Sequence, residues 1–313
     1  MLVDKALRWL ADLPAWEDYA GWPAVMRDTF DCANQNLFEA QSLVHLCSHC
    51  AISAGAASEQ VIPVLAAWLL LYVAAELFDA VEDDEFESQD WAGLSQAEAL
   101  NVASACLAAI PLVLMEMEDA QLCLDLIAQF HQAALTMAMG QHVDLSGGKE
   151  EGEDAVARYW RVAAAKSGAL FALACWAGAR LGNPAAEVLS AYADFGRILG
   201  QLLQVCDDYK DAYTPGNLSD FRPGQASLPV VYGRTVAGPV EIERLEALLT
   251  QAAVDEQAAS QLRELLDDLG CKYYQLLQIE ILGQQAESAL RRTLLTGSHL
   301  DRLLCLIPRI VIL

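Results

Sequence analysis

Helical periodicity runs through nearly the whole chain, and no stretch alternates apolar and polar residues as a half-buried strand does. An all-α fold is therefore expected. Breaks in the pattern fall near Asp12-Leu13-Pro14, around Gly55 to Ser58, at Glu85 to Ser95, near Met117 to Ala120, through Ser146 to Gly152, at Gly182-Asn183-Pro184 and across Thr214-Pro215-Gly216-Asn217. Ser95 with Glu98 forms a capping-box signature that opens a helix near Ala97. Helices this long, apolar over wide faces, are expected to pack as a bundle around a central cavity rather than as a thin coiled coil. No linker, composition break or internal repeat divides the 313 residues, so 1–313 is expected to form a single domain.

Charge narrows the partners. With 43 acidic against 19 basic residues the net charge is −24, which repels nucleic acid and anionic membrane surfaces. The apolar run Ile62 to Ala75 has 14 residues, against about 20 needed to span a bilayer. The N-terminal Met-Leu-Val-Asp-Lys-Ala-Leu-Arg lacks the apolar core of a signal peptide. No stable membrane insertion and a cytoplasmic location are the expectations. Nine cysteines lie scattered in apolar helical stretches, among them Cys106, Cys123, Cys175 and Cys305, a pattern of buried free thiols. His45, Cys47, His49 and Cys50 are close in sequence, but on a helix Cys47 points away from the His45 and His49 face. One zinc ion cannot readily take all four.

Two acidic clusters about 130 residues apart break the apolar background: Asp79-Ala-Val-Glu-Asp83-Asp84 after Leu69 to Phe78, and Gln204-Val-Cys-Asp207-Asp208-Tyr-Lys-Asp211 after Ile198 to Cys206. Residues four apart share a helix face, so Asp79 pairs with Asp83 and Asp207 with Asp211, and each pair repels itself. Like charges in apolar surroundings demand a cation. Mg²⁺ prefers carboxylate oxygen, uses one or two carboxylates per ion and completes its shell with water and substrate phosphates. Alone, the first pair reads equally as a solvated helix end. Together, the two read as a phosphate-handling metal site with Asp79, Asp83, Asp207, Asp208 and Asp211 as ligands.

Five segments in order resemble the trans-isoprenyl diphosphate synthases, the polyprenyl synthetase family within the class I terpenoid synthase fold. Asp79 to Asp84 resembles the first Asp-rich motif of that family, and Gly140-Gln141-His-Val-Asp144-Leu145 its Gly-Gln…Asp-Leu segment. Lys166-Ser167-Gly168-Ala-Leu-Phe171 is similar to its Lys-Thr segment, Gly200 to Asp211 to its second Asp-rich motif, and Ser219 to Val230 to the loop and helix start that follow. The resemblance implies an allylic prenyl diphosphate substrate, three Mg²⁺ ions between the clusters, and a homodimer. It assigns Asp79, Asp83, Asp207 and Lys166 to catalysis, and Lys166, Gln204 and Arg222 to substrate binding. Metals and lysine stabilise the departing diphosphate. The allylic cation left behind needs a dry apolar wall. Ala75, Tyr72 and Trp68 lie one, two and three turns before Asp79 and are the candidates for that wall, although on base rates Tyr72 and Trp68 are more often core than cavity lining.

The chain departs from the family where chain-extending members seat isopentenyl diphosphate. Those members carry a Gly-Lys-x-x-Arg segment on an early helix and an arginine pair after the first motif. The corresponding stretches here, Asn36 to Val44 and Asp84 to Asp90, contain no base, and no Lys or Arg occurs between Arg27 and Lys149. Ala80 replaces the second Asp of the first motif, about 100° away from the Asp79 face. Gln225 stands where a lysine is common, which leaves Lys166, with Arg161, Arg222 and Arg234 as lesser candidates. The expected function is isoprenoid biosynthesis. The enzyme would ionise one allylic diphosphate, then cyclise it as a terpene synthase or pass the prenyl group to an acceptor other than isopentenyl diphosphate. A chain-elongating prenyltransferase, or a non-catalytic partner subunit of one, are the alternatives.

Overall fold

The computed structural model describes residues 2–12, 24–25, 27–31, 43–88, 91, 93–146, 154–182, 185–214 and 227–309. Among them helix is the only regular structure, as the periodicity requires. The helices are α1 (Leu2–Ala11), α2 (Leu46–Ser53), α3 (Ser58–Glu82), α4 (Gln96–Leu114), α5 (Ala120–Leu145), α6 (Ala155–Ala163), α7 (Ala169–Gly182), α8 (Ala186–Tyr213), α9 (Leu228–Val236), α10 (Pro239–Ala252), α11 (Glu256–Asp268), α12 (Cys271–Arg291) and α13 (Gly297–Leu304). A π-helical turn, Ala164–Gly168, joins α6 to α7. The breaks around Gly55 to Ser58 and near Met117 to Ala120 fall between helices, and Asp12, Ser146, Gly182 and Thr214 stand at the ends of α1, α5, α7 and α8; the rest of those four breaks, and part of Glu85 to Ser95, lie outside the described residues.

Local chemistry sets these boundaries. The Ser95 amide donates to Glu98 Oε2 at 2.9 Å and the Glu98 amide to Ser95 Oγ at 3.4 Å, the reciprocal pair of a capping box. Asp154 and Asp255 cap α6 and α11 by accepting from the amides of Val156 and Gln257. Gly270, at φ 78°, ends α11 in a left-handed conformation that costs glycine little.

Contacts divide the described chain into two compact units, one of residues 1–135, 172–193 and 290–306, the other of 136–171, 194–289 and 307–313. In the first unit α3 is the central element: α1, α2 and α4 pack on it, and Val64 to Ala74 are buried without interruption. Each large side chain there contributes about 1.5–3 kcal/mol of burial. Gly178 and Gly182 of α7 lie against the α2 backbone and its end so closely that an added Cβ would stand 2.3 Å from the carbonyl oxygens of Cys47 and Ala54. In the second unit α6 packs on α9 and α10 on α11, with Leu245, Leu262, Leu266 and Cys271 at the centre of a buried cluster.

Two expectations need correction. Of the described cysteines all but one are buried, but Cys305, at the end of α13, is exposed. By length and composition four helical spans, Ser58–Glu82, Gln96–Leu114, Ala120–Leu145 and Ala155–Gly182, suffice to cross a membrane. The 14-residue run understates this because the helices continue through isolated polar residues. The apolar window of α3 is 72% buried within the protein, and that of α5 only 17%.

Candidate active site

The first acidic cluster closes α3, in the first unit. The helix ends in a Schellman turn: Asp83 is the C-cap, the Glu85 amide donates to the Ala80 carbonyl at 2.9 Å, and the Asp84 amide to Val81 at 3.4 Å. Asp84 takes the left-handed position at φ 57°, which aspartate tolerates better than most residues. Asp79 is exposed and Asp83 half-buried, while Ala80 faces the core at 5% exposure. An aspartate at position 80 would meet that core, so the departure from the motif follows from the packing. Carboxylates at a helix C-terminus face the negative end of its dipole. Asp79, Glu82, Asp83, Asp84 and Glu85 all stand there, an arrangement a cation relieves. Upstream, Ala75 is half-buried, whereas Tyr72 and Trp68 are almost wholly buried and stacked with ring centroids 5.5 Å apart.

The second unit assembles the remaining motif residues that are described. Lys166 and Ser167 lie on the π-helical turn, a departure from regular helix that is frequent at functional sites. Two glycines admit it. A Cβ at Gly140 of α5 would stand 2.7 Å from the Ala165 Cβ, and one at Gly200 of α8 would stand 2.3 Å from the Ser167 carbonyl oxygen. Lys166 Nζ donates to Asp144 Oδ2 at 3.0 Å, joining the Gly140 to Leu145 and Lys166 segments. Ser167 Oγ donates to Gln204 Oε1 at 3.0 Å, and Gln204 Nε2 to Asp208 Oδ1 at 3.1 Å. Asp208 Oδ2 accepts from Tyr159 Oη and from the Leu228 amide, each at 2.7 Å. Asp208 is thus a buried anchor tying α8 to α6 and to the first residue of α9.

Asp207 and Asp211, one turn apart on α8, remain accessible. Asp207 keeps 45% of its side chain open and has Lys210 Nζ at 3.9 Å. Enclosure by the surrounding protein, reinforced by Asp211 and Asp208 and opposed by Lys210, pushes its carboxyl up to about 7. Burial likewise pushes Asp208 up to about 6, against the three donors that favour its charged form. Among the described residues no three His, Cys, Asp or Glu groups are arranged to hold a metal ion. The accessible donors come as carboxylate pairs, a set that fits Mg²⁺ shared with a phosphate ligand better than an all-protein cage.

Arg222 lies outside the described residues, as do residues 36–42 and 89–90 of the base-free stretches. Arg234 is engaged by Glu246 through two bonds of 2.7 and 3.1 Å, and Arg161 is exposed. His45 and His49 share a face with rings 5.8 Å apart, while burial pushes the Cys47 and Cys50 thiols well up. The sequence reading missed Tyr159. Its position seven residues before Lys166, two turns along one helical face, was the available signal.

A family model described as polyprenyl synthetase matches residues 89–266, a span that holds Lys166 and the second acidic cluster and begins just after the first. A short chain isoprenyl diphosphate synthase of Methanothermobacter thermautotrophicus is 26% identical over 162 residues, 50% of this chain and 49% of that protein. Tryptophan prenyltransferase ComQ of Bacillus subtilis subsp. natto is 29% identical over 167 residues, 53% of this chain and 50% of that protein. The chain thus spans about half the length of the curated relatives it matches. Polyprenyl synthase from Caulobacter crescentus CB15, solved with calcium and isoprenyl diphosphate, superposes with a TM-score of 0.73 at 23% identity, covering 97% of this chain and 95% of that one. That likeness shows the fold.

Proposed function

The chain belongs to the polyprenyl synthetase family, and from that premise we propose a Mg²⁺-dependent enzyme that ionises an allylic prenyl diphosphate. It then cyclises the cation or passes the prenyl group to an acceptor other than isopentenyl diphosphate. The observation that carries this reading is the pair of accessible carboxylates at the end of each long apolar helix, Asp79 with Asp83 and Asp207 with Asp211. Bound Mg²⁺, three ions by family likeness, would supply Lewis-acid stabilisation of the leaving diphosphate.

The chain's own residues do the rest. Lys166, half-buried and tethered to Asp144, offers a cation to the diphosphate without needing to be ordered first. Asp208 holds α8 in place, while Asp207 and Asp211 are the carboxylates of this cluster proposed to bind metal. Gln204 links the Lys166 turn to that anchor. Ala75, half-buried one turn before Asp79, fronts the apolar wall that excludes water from the cation, with Tyr72 and Trp68 buried behind it. Arg222 is assigned to the diphosphate on family likeness alone.

The absence of Lys and Arg from residues 28–148 supports an acceptor other than a second diphosphate, and the likeness to a tryptophan prenyltransferase is in keeping with it. Chain elongation is the second reading, favoured by the likeness to a short chain isoprenyl diphosphate synthase. A non-catalytic subunit is the weakest, since it has no use for paired repelling carboxylates. Residues 1–313 act as one domain and work in the cytoplasm, in keeping with the strongly acidic chain. The chain forms a homodimer: α5 and the end of α4 expose Leu112, Met115, Leu124, Leu135 and Met139, each more than half open, a face suited to a second copy. Incubating the protein with Mg²⁺ and C10, C15 or C20 allylic diphosphates separates the readings. Diphosphate release without isopentenyl diphosphate supports the first, release only with it the second, and no release the third.

A further inference from the structure

Asp208 accepts three hydrogen bonds, and one of its donors has no assigned role. Tyr159 sits on α6, 8% exposed, with its ring edge-on to Trp160 at 5.3 Å. Its hydroxyl reaches across 49 residues of sequence to Asp208 Oδ2 at 2.7 Å. The same oxygen takes the Leu228 amide, the first of α9, also at 2.7 Å, while Oδ1 takes Gln204. One buried carboxylate therefore fixes three elements: α6, which leads into the Lys166 turn, α8, which carries Asp207 and Asp211, and the start of α9.

We propose that Tyr159 is a positioning residue for metal binding, acting through Asp208. The inference rests on the reading that Asp207 and Asp211 hold Mg²⁺. The physical argument concerns orientation. Asp208 adjoins Asp207 on the helix, and an unanchored carboxylate there would be free to turn toward the same cation or to repel its neighbours. Three donors hold it inward, so Asp208 does not join Asp207 and Asp211 on the accessible side of α8. Groups that orient metal ligands in this way are commonly worth about 10- to 100-fold in metal affinity or activity. The Tyr159 hydroxyl is a donor that a substitution by phenylalanine removes while keeping the shape of both helices.

Tyr159→Phe tests this. With inorganic pyrophosphate as the anionic probe, Mg²⁺ half-saturation is measured by calorimetry for wild type, Tyr159→Phe, Asp208→Asn and the double variant, and turnover is followed across the same Mg²⁺ range. Tyr159→Phe should raise half-saturation about tenfold, with turnover returning toward wild type at saturating Mg²⁺. In the Asp208→Asn background it should add nothing, because the two act as a unit. A merely structural role would lower the melting temperature and leave half-saturation unmoved. Unchanged half-saturation, a shift of equal size in the Asp208→Asn background, or a Tyr159→Phe protein that does not fold each overturns the proposal. Wild type that binds no Mg²⁺ with pyrophosphate would instead overturn the metal site itself.

Discussion

Gly200→Ala is a small perturbation with a large expected effect. The new Cβ would stand 2.3 Å from the Ser167 carbonyl oxygen, 2.5 Å from its carbon and 2.8 Å from the Gly168 nitrogen, against ordinary contacts of 3.4–4 Å. All three atoms are backbone, so α8 and the Lys166 turn must separate by about 1 Å. Overpacking of this kind costs about 1–3 kcal/mol, offset by about 1 kcal/mol of better helix propensity. Gly283→Ala is the control, since its Cβ would meet nothing nearer than Ile307 Cγ2 at 3.8 Å. Only the propensity gain of about 1 kcal/mol applies there. Thermal melts should place Gly200→Ala a few degrees below wild type and Gly283→Ala about 2–4 °C above it. Turnover should fall about 100-fold in Gly200→Ala, the scale of a 1 Å misplacement, and stay at wild type in Gly283→Ala. A Gly200→Ala protein with wild-type melt and turnover would refute the close packing inferred around the π-helical turn.

Other consequences are open to measurement. Asp207 and Asp208 titrate above their ordinary value of 3.8 in the folded protein, at about 7 and about 6. Folding therefore favours their protonated forms, and the stability this confers on metal-free protein, full below about pH 4, is lost as pH rises to about 7. The buried Asp208 contributes at most about 3 kcal/mol, and solvent screens the share of the half-exposed Asp207. Asp208→Asn should flatten the pH dependence of the metal-free melt between about pH 4 and 6, the interval between the ordinary and the folded value of this carboxyl; an unchanged slope contradicts the assignment. At Asp84, with φ 57°, Gly should be neutral or stabilising while Val should cost roughly 1–2 kcal/mol, read from denaturant midpoints; equal midpoints would remove the strained turn.

Much of this was legible in the sequence because it depends on local chemistry. Helix ends followed Gly, Pro and capping signals, Ser95 and Glu98 made the bonds their spacing implies, and each acidic cluster fell at a helix end. What escaped depends on neighbours distant in sequence. Nothing in Ala-Ala-Lys-Ser-Gly marks residues 164–168 as π-helical; the close approach of Gly140 and Gly200 does. Asp208 shared a motif with Asp207, yet one residue of helical rotation sends it inward to Tyr159 and Leu228. Cys305 sat in an apolar stretch but falls at the end of a short helix, where one face stays wet. The ends of α9, α10 and α11 were signalled by Gly238-Pro239, Asp255 and Gly270 and were overlooked.

The most direct test of the central claim is pyrophosphate release from an allylic diphosphate with Mg²⁺ and no isopentenyl diphosphate, compared among wild type, Asp83→Ala and Asp207→Ala. Wild type should turn over, and each variant should lose turnover while keeping its helicity and an equal or higher melt, because one of two repelling carboxylates is gone. Turnover surviving in either variant would contradict the account.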